Sequence, residues 1–117
     1  MKVTHPASEI SPENYSLASK YVGRSGSVFL TGVQALARIP IEQLRRDRGA
    51  GRSTAAFVSG YPGSPLGGFD LEMNRALIAL GGELPIEHLP AVNEELGATA
   101  VMGSQLVAGR DDALYDG

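Results

Sequence analysis

Three short apolar runs, SVFLTG (27–32), STAAFVSGY (53–61) and IEHLPAV (86–92), are each followed by a stretch with helical period. This alternation constrains the fold more than any other feature of the chain. Strand followed by helix, repeated three times, implies a parallel sheet with helices on its faces. The fold class expected is therefore α/β, with a partial parallel sheet. In such sheets ligands bind beyond the carboxyl ends of the strands. Thr31–Gly32, the loop 60–68 and the segment 93–95 lie at those ends and are expected to meet on one rim.

The helices have readable limits. Val33, Leu36, Ala37, Ile41 and Leu44 recur at three- and four-residue spacing, so they share one face. Pro40 falls inside that pattern and is expected to kink or split the helix, because it has no amide donor and clashes with the preceding turn. Arg45, Arg46 and Arg48, then Gly49 and Gly51, mark its end. A second helix is expected from Phe69, through Met73, Ala76, Leu77 and Leu80, stopping at Gly81–Gly82. A third runs from about Glu94 to Val107 and is built almost wholly of small residues. Pro90 weakens the strand before it. Residues 1–26, with Pro6, Pro12 and Asn14, read as an extended arm with one short helical turn around Tyr15 to Lys20. Residues 27–117 then form the α/β unit. The ending GRDDALYDG does not read as a finished element and suggests a fragment of something longer.

Composition narrows the chemistry. With 117 residues, one small domain with one core is expected. A net charge of −3 gives no argument for nucleic acid or an anionic membrane as partner. There is no cysteine, so the chain by itself holds no disulfide, thiolate metal site or iron–sulfur cluster. His5 and His88 are too few and too far apart to suggest a metal site. No apolar run approaches the roughly 18 residues of a membrane span. The first residues lack the apolar core of a signal peptide, and a cytoplasmic protein is the default.

Two stretches could carry chemistry. SGYPGSPLGGFD (59–70) packs four glycines and two prolines between a strand and a helix. Glycine lets backbone amides approach a ligand, and the following helix N-terminus favours an anion. The spacing fits neither the P-loop nor GxGxxG. A tight loop with Asp70 as a first-turn acid explains it equally well. VNEELGATAVMGSQ (92–105) places Glu94 and Glu95 just after Asn93, a good N-cap. There the helix dipole favours acids. Neighbours on a helix point about 100° apart, so at most one glutamate can enter a given pocket. Arg38, Arg45, Arg46, Arg48 and Arg52 read as a solvated helix end, or else as a subunit contact or anion site. His88 reads as a residue at the sheet edge, and Tyr61 as either a ligand hydroxyl or a ring packed beside Pro62.

VFLTGVQALARIPIEQLRRDRGAG, FVSGYPGSPLGGFD and VNEELGATAVMGSQ, in that order and spacing, closely resemble the N-terminal region of the indolepyruvate ferredoxin oxidoreductase family, in its long single-chain bacterial form. That family belongs to the thiamine-diphosphate-dependent 2-oxoacid:ferredoxin oxidoreductases. The resemblance runs from about Tyr15 to the last residue. It implies the first part of a pyrimidine-binding domain, incomplete as it stands. In thiamine enzymes a glutamate of this domain bonds N1′ of the aminopyrimidine and favours its imino tautomer. Glu94 stands nine residues before Gly103, the spacing found in many such enzymes, and Glu95 does not. Glu94 is thus the implied catalytic and cofactor-binding residue, with Gly60 beside the cofactor. YPGSP resembles the YPxTP motif of the wider group. There, the hydroxyl residue and nearby backbone help hold the substrate carboxylate. Ser64 is then the hydroxyl, with Tyr61, Pro62 and Pro65 shaping the loop.

The resemblance also implies partners for the complete enzyme: an aryl 2-oxoacid substrate, coenzyme A, ferredoxin and a diphosphate-binding domain of the same or a second chain, in a homo-oligomer. Magnesium and 4Fe–4S clusters belong to that enzyme and are not bound by this stretch, which is expected to be inactive alone. A non-catalytic α/β module, binding an anion at the Gly/Pro loop, is the alternative.

Overall fold

The computed structural model describes residues 10–117. His5, Pro6 and the rest of the first nine positions of the arm lie outside them. The elements are α1 (Ser19–Val22), α2 (Gly32–Gly49), β1 (Ala56–Val58), α3 (Gly68–Leu80), β2 (Ile86–His88) and α4 (Glu94–Gln105). The result is a small α/β unit with four helices and a two-stranded parallel sheet among the described residues. None of these helices is long and apolar enough to cross a membrane.

The sheet register separates two faces. Ala56 pairs with Ile86, Phe57 with Glu87 and Val58 with His88. Side chains alternate along a strand, so Ala56, Val58 and Ile86 share one face. They pack on a core of Tyr21, Ala37, Ile41, Leu44, Met73, Ala76, Leu80 and Leu84, drawn from α1, α2, α3 and the turn after α3. Phe57 and Ser59 face the other way. There Gly97 of α4 stands so close that a β-carbon on it would lie 3.4 Å from Ser59 Oγ. Helices therefore cover both faces of the strand pair.

The helix limits follow local chemistry. Thr31 caps α2 by accepting from the Gln34 amide while the Gln34 side chain accepts from the Thr31 amide, a reciprocal capping box. Gly81, left-handed at φ 57°, ends α3. Asn93 caps α4 by accepting from the Leu96 amide at 2.8 Å.

Two expectations are corrected. SVFLTG forms no strand: residues 27–31 pair with no strand among the described residues, and Phe29 is 88% exposed. An apolar run becomes a strand only where an edge is there to bond it, and the backbone just before β1 bonds residues 116–117 instead. The Ala55 amide donates to the Gly117 carbonyl, and the Asp116 amide to Ser53. Pro40 does not split α2, which runs unbroken over 18 residues. Ala37, Ile41 and Leu44 are buried on either side of it, and their burial outweighs the single helical bond that Pro40 cannot make.

The described part of the arm is fastened to the rest of the chain. The Tyr21 ring joins the core, and its hydroxyl donates to Glu72 of α3. The carbonyls at the end of α1, which have no helical partners, are met by two guanidinium groups. Arg38 donates to Lys20 and Gly23, and Arg45 to Tyr21, Val22 and Gly23. Glu42 pairs with both arginines. These two cations are thus spent inside the chain rather than on a solvated helix end or an anion.

The Tyr21 hydroxyl, more than Arg75, holds the Glu72 carboxyl below the usual carboxylate range, against the opposing effect of burial. Burial first, then Glu72, pushes the Tyr21 phenol well up. A depressed carboxyl stabilises the fold above its unfolded value, and that contribution disappears as pH falls through the folded one. Urea unfolding from about pH 7 to pH 3 should therefore show a decline that is shallower in Glu72→Gln. Parallel curves would remove Glu72 from the acid response.

Candidate functional site

The carboxyl ends of β1 and β2 run into the turns 59–61 and 89–91, which stay bonded to each other. The Leu89 amide donates to Val58, and the Ala91 amide to Gly60 at 2.8 Å. Ser59 Oγ donates to the Leu89 carbonyl. This holds the chain leaving β1 beside the entry to α4. Gly97 then lies over Gly60, where a β-carbon would come within 3.9 Å of the Gly60 α-carbon. Two of the three expected rim segments, 60–68 and 93–95, are brought near each other in this way, since Gly60 is bonded to Ala91 and packed on Gly97, on either side of 93–95. Thr31–Gly32 ends no strand and serves as the cap of α2.

The loop 60–68 is built from consecutive tight turns. The Ser64 amide donates to Tyr61, the Gly67 amide to Ser64 and the Phe69 amide to Leu66. The Leu66 amide donates to Ser64 Oγ. Four amides that could have cradled an anion are therefore spent on the loop itself. The Tyr61 ring lies directly over Gly63, where any β-carbon would overlap it.

A groove of about 800 Å³ runs along the free edge of β1. Leu36, Ile39 and Leu44 of α2 form one wall, and Val101 of α4 contributes to the lining. At its loop end stand Gly60, Tyr61, Ser64, Phe69 and Asp70. Of the residues expected to bind substrate, Tyr61 and Ser64 line this groove, and Pro65 does not. Glu94 lines neither this groove nor a second one of about 650 Å³ near the chain end.

No family model, curated protein or solved structure matches this chain.

Glu94 and Glu95 differ by position on α4. Gly97 is the buried point of that helix. Glu94, three residues before it, shares its side of the helix, whereas Glu95, two before, points roughly 160° away. Both are exposed, and neither side chain bonds to another described residue. The rest of the small-residue helix is loosely covered: at Gly103 a β-carbon would meet nothing within 4 Å.

One cluster had no reading as a unit. His88, the last residue of β2, has a side chain only 1% exposed. Its Nε2 lies 2.9 Å from Asp70 Oδ1, and its Nδ1 lies 3.0 Å from the Asn74 amide group. Asp70 and Asn74 are one turn apart on α3, so they can hold both sides of a single ring. The signal in the sequence was the i, i+4 pair Asp70 and Asn74, whose common partner only the fold supplies.

Proposed function

We propose that this chain forms part of the pyrimidine-binding domain of a thiamine-diphosphate-dependent 2-oxoacid:ferredoxin oxidoreductase acting on indolepyruvate or related aryl 2-oxoacids. The observation that carries the reading is the placement of Glu94. It opens α4 on the side of Gly97, and Gly97 brings the start of that helix against the Gly60 turn. A carboxyl group whose side chain has no partner among the described residues, at the start of a helix packed on the Gly60 turn, fits one side of an aminopyrimidine. Glu94 would hold it there through a shared proton, and Gly60 would let it approach. When bound, the cofactor supplies the electron-accepting chemistry by which a 2-oxoacid loses carbon dioxide. Ser64, in the turn that follows Tyr61, would orient the substrate carboxylate. The diphosphate, its magnesium ion and the iron–sulfur clusters would be held elsewhere in the complete enzyme, which transfers the acyl group to coenzyme A and electrons to ferredoxin.

This role needs a carboxyl group shielded from water. Glu94 is exposed in the chain by itself. A wall from the partner domain would have to supply that environment. In the complete enzyme, Glu94→Ala is expected to abolish C2 proton exchange of bound thiamine diphosphate while circular dichroism stays unchanged. Exchange at the wild-type rate in that variant would end the assignment. Glu95→Ala is expected to leave the exchange within about threefold of wild type, since it lies on the far side of the helix.

A further inference from the structure

We propose that Asp70, oriented by His88, makes the loop end of the 800 Å³ groove a recognition site for a planar cation carrying N–H donors, of the amidinium or protonated aminopyridine class. The side chain of Asp70 is only 10% exposed. Its Oδ1 is occupied by His88 Nε2. Its Oδ2 has no hydrogen-bond partner among the described residues, and no lysine or arginine there pairs with it. A buried carboxylate with open acceptor positions gains most from a donor that also carries charge.

The surroundings define the rest of the ligand. Gly60 stands in front of the carboxylate without a side chain: a β-carbon there would lie 3.8 Å and 4.0 Å from the two oxygens. The Asn74 contact on the far side of the imidazole stops the His88 ring from turning away, which fixes the carboxylate in turn. Beyond it the groove is lined by Phe57, Phe69, Leu36 and Ile39. Such a lining favours a flat apolar body, and aromatic faces tolerate a cation close by. An anion is disfavoured, because Asp70 and Asp47 are the charged groups lining this groove.

The inference does not rest on the thiamine reading, which depends on Glu94. Benzamidine and its neutral analogue benzamide, titrated into the ¹⁵N-labelled full chain and followed by amide shifts, test it. Benzamidine is expected to move the Gly60, Tyr61 and Asp70 resonances and to bind at least about tenfold tighter than benzamide, the scale of a charge-assisted hydrogen bond. Asp70→Asn should abolish that preference, and Glu94→Ala should leave it intact. Equal affinity of the two compounds in the wild-type chain, or shifts confined to other regions, would overturn the proposal even if Asp70→Asn did not fold. So would a benzamidine preference that survives in a folded Asp70→Asn protein.

Discussion

Ile41→Ala is expected to lower the stability of the chain by about 2–5 kcal/mol in urea unfolding followed by circular dichroism. Ile41 is fully buried, on the α2 face that meets Met73 and Ala76 within one core. Deleting three carbons removes their transfer free energy and leaves a cavity. The neighbours cannot easily close it, because α2 is pinned at both ends by a capping box and by the bonds of Asp47. Asp47 accepts from Gln43 and Arg52 at Oδ1 and from the Thr54 hydroxyl at Oδ2. A domain of this size has only about 5–15 kcal/mol in total, so the loss is a large share of its stability. Ile41→Val should cost only about 0.5–1.5 kcal/mol. Ile78→Ala provides the contrast: Ile78 is 82% exposed, and its loss should stay within about 0.5 kcal/mol. Equal effects at 41 and 78 would mean that the core is misplaced.

Gly67→Ala should be the most disruptive change in the loop. A β-carbon at 67 runs into the Pro62 carbonyl oxygen, with the Ser64 oxygen at 3.2 Å and the Pro62 carbon at 3.4 Å. All three are backbone atoms and cannot swing aside as a side chain would. Relief requires the turns at Tyr61–Ser64 and Ser64–Gly67 to open, which moves Tyr61 and Ser64 at the groove. The expected cost is about 1–3 kcal/mol, with amide shifts spread over 60–68. Gly68→Ala, one residue on, meets nothing within 4 Å. It sits in the first turn of α3, where alanine is a better helix former, so it should be neutral or stabilising by up to about 1 kcal/mol. A protein that accepts both changes alike would not hold this loop.

Most of the helical frame was legible because its signals are local. Asn93, Gly81 and the spacing of Ala37, Ile41 and Leu44 each act within one or two turns, and each stands where expected. β1 and β2 fall inside the second and third apolar runs, β1 shortened at both ends and β2 at its C-terminal end. The failures concern partners rather than propensities. SVFLTG has strand composition, but nothing in its own residues says whether an edge will be free to bond it. Arg38 and Arg45 look like surface cations because the carbonyls they meet lie 15 to 24 residues away in the chain. The same holds for Tyr21 with Glu72 and for Asp70 with His88. At the candidate site, Gly60, Tyr61 and Ser64 were placed on one groove, whereas Glu94 was placed on the neighbouring rim. A resemblance in sequence gives residues their roles, but it carries no picture of the walls that complete them.

The fastening of α1 also orders events in time. A four-residue helix has no stability of its own, since nucleation costs more than one turn returns. Tyr21 finds its partner 51 positions away, on a helix that must already exist. The guanidinium clamps need α2 in place as well. Closing so long a loop is an entropic cost met only after α2 and α3 have paired. Residues 19–23 should thus be the last to lock during folding and the first to loosen, as one cooperative unit and not residue by residue. The segment owes its shape to the domain it joins, and its departure would uncover the Tyr21 side of the core before any strand or long helix had moved.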